Sequence, residues 1–352
     1  MNKMSRNIIV TVIIIIVLVL VMVYSNSKNL LVRQLQGPTE GADSILTVDD
    51  RLSAVSKNNH IFTWQWNDLS IWPVVAKPDA QLVILVADDK IIYIPSVGYR
   101  GLVLSNLKEL KQSANLDVPY GAECEKIKSS ADGKFGAASI LFKEGTQKNW
   151  LKLAIFDSNL KNMSFVFQRD TSAENFQISD FDVSNDGSLL AGAGKKEKAW
   201  IFITDTKNGN ILWEKTFEEY NQFTLTRFSS DGKKLFVAEK ARNILTFDAP
   251  TGQLLNKFVM DEYQTVAHLK QSISCMAVSP DGKVLAANTE PAGTVWLWDV
   301  ASGRKIGRLP VGGGLIISGI AFSPDSRYLA TSCMVSPEIK IWKVPKTTEI
   351  LK

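Results

Sequence analysis

Residues 276–299 read MAVSPDGKVLAANTEPAGTVWLWD. Two short strand-like runs flank Ser279-Pro280-Asp281-Gly282, and a third run ends in Trp298-Asp299. Apolar residues recurring at every second position are the mark of a strand rather than a helix. Asp281 suits the turn because its side chain can cap the turn's own amides, and Gly282 because hairpin closure demands a positive φ. The same unit recurs as FDVSNDGSLLAGAG at 181–194, TRFSSDGKKLFVAE at 226–239 and IAFSPDSRYLATSC at 320–333. Downstream of the turn a third strand ends at Thr204-Asp205, Phe247-Asp248 or Trp298-Asp299, followed by a loop holding Gly209, Gly252 or Gly303 and then a fourth strand.

Weaker copies of the turn lie upstream at Asp132-Gly133, Asp88-Asp89 and Asp49-Asp50. The turn aspartates are then Asp50, Asp89, Asp132, Asp186, Asp231, Asp281 and Asp325, spaced by 39, 43, 54, 45, 50 and 44 residues. That near-regular period predicts seven equivalent units. At one per unit, these aspartates read as turn caps rather than calcium ligands or catalytic acids.

The turn Ser279-Pro280-Asp281-Gly282 and the ending Val295-Trp296-Leu297-Trp298-Asp299 resemble the a-to-b turn and the Trp-Asp close of strand c in WD40 repeats. The resemblance covers the chain beyond residue 28 and is strongest from about residue 180. It implies an all-β, seven-bladed β-propeller of four-stranded antiparallel blades. It also implies a ring that presents loops to a protein partner, with no cofactor. No Gly-His dipeptide precedes a first strand, and the two histidines, His60 and His268, stand elsewhere, so the Asp-His network of the strongest repeats is not expected. The segment 206–217 (TKNGNILWEKTF) also resembles the repeat of quinoprotein-like propellers.

A ring must close, because an open blade leaves unpaired edge groups. Few residues follow the third strand of the last unit, and residues 30–36 (LLVRQLQ) have a strand's pattern. They are expected to pair with that third strand and join the two ends of the domain. Trp66, Trp298 and Trp342 are expected in similar registers near strand ends as inter-blade packing, with Trp64 and Trp296 two residues earlier on the same faces.

The run from 8 to 24 (IIVTVIIIIVLVLVMVY) begins at Ile8, centres on Ile16 and ends at Tyr24. As a helix its 17 residues reach about 26 Å, enough to cross a hydrocarbon core. It is longer than a usual secretory h-region and no Ala-x-Ala follows it, so an uncleaved signal-anchor is favoured over cleavage after Ser25-Asn26-Ser27. No cysteine stands directly after the run, so a lipid-anchored lipoprotein is not expected. Lys3 and Arg6 outweigh Lys28 and Arg33, which Glu40 and Asp43 offset, and the positive-inside rule then leaves the N-terminus in the cytoplasm. The expected organisation is a cytoplasmic tip and anchor over 1–28 and a propeller over 29–352, extracytoplasmic and periplasmic if bacterial.

The chain has 352 residues, is 45% hydrophobic and carries a net charge of only +4 with its basic residues dispersed, so no nucleic-acid footprint shows. Cys124, Cys275 and Cys333 have no metal-ligand spacing and read as small buried hydrophobes. In an oxidising compartment, Cys275 and Cys333 are the pair whose blades would be neighbours. No Gly-x-Ser-x-Gly elbow is present, and Gly312-Gly313-Gly314 reads as a connector rather than a phosphate loop. Asn162-Met163-Ser164 is a sequon of the kind chance supplies. Two readings remain: a membrane-tethered, non-catalytic interaction scaffold with a protein partner, or a quinoprotein-like or hydrolase-type propeller enzyme. Carboxylates with perturbed proton affinity gathered in the central channel would favour the enzyme. An apolar patch on one rim would favour the scaffold.

Overall fold

The computed structural model describes residues 30–346 except 39–40, 57, 59, 70–79, 96–100, 108–109, 119–121, 145–147, 172–175, 261–272, 290–292 and 313–315. The apolar run 8–24 and His268 lie outside the described residues.

Twenty-seven strands among the described residues form seven sheets. The closing strand β1 (Leu31–Gln36) comes first. Blade 1 follows with β2 (Ala42–Val48), β3 (Arg51–Ser56) and β4 (Ile61–Gln65), and blade 2 with β5 (Ala80–Val86), β6 (Lys90–Pro95), β7 (Gly101–Asn106) and β8 (Gln112–Asp117). Blade 3 holds β9 (Ala122–Ser129), β10 (Phe135–Glu144), β11 (Lys148–Asp157) and β12 (Met163–Asp170). Blade 4 holds β13 (Phe176–Val183), β14 (Leu189–Lys196), β15 (Lys198–Asp205) and β16 (Ile211–Phe217). Blade 5 holds β17 (Phe223–Phe228), β18 (Lys234–Glu239), β19 (Asn243–Asp248) and β20 (Leu254–Val259). Blade 6 holds β21 (Met276–Val278), β22 (Val284–Thr289), β23 (Thr294–Asp299) and β24 (Lys305–Pro310). Blade 7 holds β25 (Ile317–Phe322), β26 (Tyr328–Cys333) and β27 (Ser336–Lys343), with β1 as its fourth strand.

Within each blade the strands pair antiparallel in sequence order. Blade 1 shows three of its strands among the described residues. Each inner strand contacts the next, from β2 through β5, β9, β13, β17, β21 and β25 and back to β2, so the sheets stand around one axis. Both faces of a blade press on a neighbour, which is why middle strands such as β15 and β23 are buried along almost their whole length. Outer strands such as β16 and β20 are mostly exposed. The cores are accordingly inter-blade: Phe167, Phe181, Trp200 and Phe202 pack between blades 3 and 4, and Phe236, Phe258, Met276 and Trp298 between blades 5 and 6.

Closure takes the expected form. β1 lies antiparallel to β27, with Leu31 opposite Trp342 and Gln36 opposite Glu338, and Lys343 N donates to Leu30 O at 2.7 Å. Leu35 on this strand is buried with Leu52, Ile339 and Ile341, so residues at opposite ends of the domain share one core.

The a-to-b turns explain the repeat. In five blades a serine two residues before the aspartate donates its Oγ to the carboxylate: Ser130 to Asp132, Ser184 to Asp186, Ser229 to Asp231, Ser279 to Asp281 and Ser323 to Asp325, at 2.6–2.8 Å. The same carboxylate oxygen accepts the amide two residues onward, as from Lys283 N at 3.1 Å. Asp50 and Asp89 sit in shorter turns of another kind. There Asp49, Asp88 and Asp89 themselves take positive φ, and the buried Arg51 pairs with Asp49 and Asp89, tying blade 1 to blade 2.

After the aspartate, Gly133, Gly187, Gly232 and Gly282 hold φ of 69–71°, and in blade 7 Ser326 holds φ 62°. A left-handed serine is strained, but Ser326 Oγ accepts Asp281 N from blade 6 at 3.1 Å. Ser326→Gly is therefore expected to change stability by under about 0.5 kcal/mol, relief of strain offsetting the lost bond, whereas Ser326→Ala keeps the strain, loses the bond and costs about 1 kcal/mol. Urea midpoints of both variants would check the pair.

One register differs from the expectation. Trp64, not Trp66, matches Trp298 and Trp342: each stands opposite a leucine of the neighbouring strand, Leu52, Leu285 and Leu329. Trp66 lies past the end of β4 and donates Nε1 to Thr47 Oγ1. Alternation alone could not separate the two, because residues two apart share a face. In blade 7, Trp342 Nε1 donates to Thr331 Oγ1 at 2.9 Å, whereas in blade 1 the equivalent position is Ala54 and the buried Trp64 Nε1 has no partner among the described residues. Ala54→Ser supplies an acceptor and is expected to raise stability by about 1 kcal/mol. A thermal midpoint at or below the wild type would show that the site has no room for the oxygen.

Candidate functional site

The inner strands of blades 3, 4 and 5 carry a cluster of charges at the axis. On β9, Ile127 turns toward the apolar core shared with blade 2, leaving Lys126 and Lys128 for blade 4. On β13, Phe181 and Val183 enter the core with blade 3, so Asp180 and Asp182 point the other way. Period-two alternation thus places two lysines, two carboxylates and Arg227 of β17 together.

Asp180 is buried and saturated. Its Oδ1 accepts Lys126 Nζ at 2.7 Å, and its Oδ2 accepts Lys128 Nζ at 2.7 Å, Arg227 Nη1 at 3.0 Å and the Thr226 amide at 3.0 Å. One carboxylate of blade 4 therefore holds side chains of blades 3 and 5 and a backbone amide of the next inner strand. Asp182 accepts the Phe228 amide at 2.7 Å, a second link from β13 to β17.

Burial alone would raise the Asp180 pKa, but Lys128, Arg227 and Lys126 together hold it well below the usual carboxylate range. At Asp182 burial outweighs the pull of Arg227 and Lys128 and pushes the pKa up. Burial, helped by repulsion from Arg227, brings the Lys128 ammonium down to about 8 against the pull of Asp180. A base with a lowered folded pKa binds fewer protons folded than unfolded between that value and the ordinary 10.4 or so, so stability gains as pH rises through this window. Between pH 7 and pH 10 the stability of the wild type relative to Lys128→Met is expected to shift in the wild type's favour by about 2 kcal/mol. Paired urea titrations at the two pH values would read it, and a constant difference would refute the burial argument.

Two carboxylates of perturbed proton affinity thus meet at the axis, Asp180 shifted down and Asp182 shifted up, the feature expected to favour an enzyme. Asp180 is an ionised acceptor with its lone pairs occupied, not an acid poised near neutrality. Sequence reasoning missed the cluster because its residues lie on three strands far apart in sequence and none is a turn or strand-end residue that marks the repeat. The seven turn aspartates are not brought together: they are spread one per blade around the turn face. Cys275 and Cys333 are free thiols that pack on one apolar cluster between blades 6 and 7, and burial pushes the Cys124 thiol up to about 12. Gly312 ends the described part of its glycine run, and its amide donates to Gly293 O at 3.1 Å.

Two surfaces remain. A groove of about 530 Å³ lies where β1 meets blade 1, lined by Arg33, Trp66, Asp68, Asp325, Arg327 and Tyr328 among others. On the outer rim, Ile211 and Leu212 of β16 and Leu254, Leu255 and Val259 of β20 are between 43% and 51% exposed. These outer strands belong to adjacent blades, and β16 is tied to the loop between β19 and β20 by Trp213 Nε1 donating to Ala249 O at 2.7 Å. Among the described residues, each pairs on one side only.

A model of the family described as "WD domain, G-beta repeat" matches residues 261–299 and 307–343, which correspond to blades 6 and 7. The chain is similar to WD repeat domain-containing protein 83 of Homo sapiens, 26% identical over 36% of this chain and 38% of that protein. It is also similar to the periodic tryptophan protein 2 homolog of Dictyostelium discoideum, 28% identical over 47% of this chain and 17% of that protein. Small ribosomal subunit protein RACK1 of Medicago sativa is 36% identical over 22% of each chain. The matches thus span well under half the length of these curated relatives. The Cps50 (Swd1) β-propeller domain of Myceliophteria thermophila superposes with a TM-score of 0.65 at 15% identity, over 89% of this chain and 99% of that one. At that identity the likeness speaks for the fold alone. The chain is thus a seven-bladed β-propeller with Ser-x-Asp turns in five blades, and its last two blades match the WD repeat.

Proposed function

We propose that the protein is a membrane-tethered, non-catalytic interaction scaffold, anchored by residues 8–24, with its N-terminus in the cytoplasm and its propeller on the far side of the membrane. The observation that carries the interaction reading is the rim of blades 4 and 5, where five large apolar side chains stand exposed on strands with open edges. Monomeric proteins rarely leave clustered apolar surface without a partner for it, and an open edge offers backbone groups for an added strand. The tethering reading rests on the sequence of 8–24; among the described residues no helix is long and apolar enough to cross a membrane.

Photo-crosslinking from position 255 in membranes of cells making the full chain tests the scaffold. A reproducible protein partner whose yield falls at least tenfold in a Leu212→Glu, Leu255→Glu double variant is expected. Crosslinking indifferent to those changes, together with substrate turnover by the purified protein, would sink it. Carbonate extraction and protease access to the propeller from either side of the membrane check the anchor and its orientation separately.

A further inference from the structure

We infer that the axis of the ring binds a small oxyanion, a phosphate or a carboxylate group, between Arg227 and Lys128. The site is independent of the rim and does not require the scaffold reading.

Three cations, Lys126, Lys128 and Arg227, face two carboxylates, Asp180 and Asp182. With both acids ionised, one positive charge is left over. The acceptors are also fewer than the donors. Asp180 already receives four hydrogen bonds. Lys126 Nζ has a second acceptor, Ser179 O at 3.0 Å. Lys128 spends one of its three N–H groups, on Asp180, and Arg227 uses only Nη1, on Asp180 and on Thr226 O at 2.6 Å. Arg227 Nε and Nη2 and two Lys128 donors have no protein acceptor among the described residues.

These groups are not sealed away: the Lys126 and Arg227 side chains keep 41% and 31% of their exposure, while Lys128 keeps 17%. A planar guanidinium fork beside a compact ammonium, in a partly dehydrated wall, matches two oxygens of one anion. An ion pair tied off for stability alone would need no such surplus of donors. The anion would also favour charged Lys128, whose proton is held less firmly than usual in the presence of Arg227, Lys126, Asp180 and Asp182. Binding is therefore coupled to proton retention and weakens as pH passes above about 8.

Calorimetric titration of the full chain with sulfate, and separately with acetate, at fixed ionic strength in chloride tests the site. Sulfate keeps its charge from pH 7 to 9.5, so a pH effect reports the protein. Saturable binding of either ion is expected, weakened at least tenfold in Arg227→Lys, which preserves charge and fold but not the fork, and severalfold in the wild type at pH 9.5. Sulfate binding with acetate silent assigns a phosphate-like ligand, and the reverse assigns a carboxylate. No saturable heat from either ion, or equal affinity in Arg227→Lys, overturns the inference.

Discussion

Removing residues 31–36 is expected to abolish the native ring, while removing residues 1–29 is expected to leave it intact. The difference lies in what β1 does for blade 7. It supplies the outer ladder along β27 from Leu31 opposite Trp342 to Gln36 opposite Glu338, and it buries Leu35 with Leu52, Ile339 and Ile341. Five or so backbone hydrogen bonds at about 1 kcal/mol net each, and one buried leucine at about 2 kcal/mol, come to roughly 7 kcal/mol. A domain's whole stability is about 5–15 kcal/mol. The truncated chain would also carry a bare β27 edge, an invitation to pair with another copy. Size-exclusion chromatography and urea unfolding of the two truncations would decide. A monomeric, cooperatively folding chain lacking 31–36 would show that closure does not depend on β1.

Asp180→Ala is expected to cost roughly 3–5 kcal/mol, the range for removing one partner from a buried ion-pair network. The cost comes less from the lost attraction than from what is left behind: Lys128 and Arg227 face each other with only Asp182 as a counter-charge, and the Thr226 amide loses its acceptor. Because the Asp180 pKa is depressed in the folded state, its stabilisation is fully present above the ordinary carboxylate pKa, near 3.9, and fades only as pH falls below that through the folded value. Wild type and Asp180→Ala should therefore differ most from pH 5 to 7 and converge in strong acid. Denaturation midpoints at pH 7 and pH 2.5 would measure this, and a gap that does not shrink in acid would assign the loss to packing instead.

The two predictions concern different kinds of information. Strand periodicity, the Ser-x-Asp turns and the need to close a ring are local or topological, and all three stand in the residues themselves. That is why the seven-unit repeat and the pairing of residues 30–36 could be read before any coordinates. The weak copies at Asp50 and Asp89 could be placed but not characterised, since turn geometry there rests on left-handed aspartates and on Arg51 reaching the next blade. Trp64 and Trp66 share a face by period two, and only pairing with Leu52 distinguishes them.

What the linear chain determined, then, is the blade: its alternation, its turns and the count of repeats, because each follows from neighbours close in sequence. The tertiary structure alone decided which side chains meet at the axis. Lys126, Asp180 and Arg227 are separated by about fifty residues at each step, and none is a turn or strand-end residue that marks the repeat. Their charges interact only because the ring brings three inner strands side by side, where low water content makes each neighbour's charge felt.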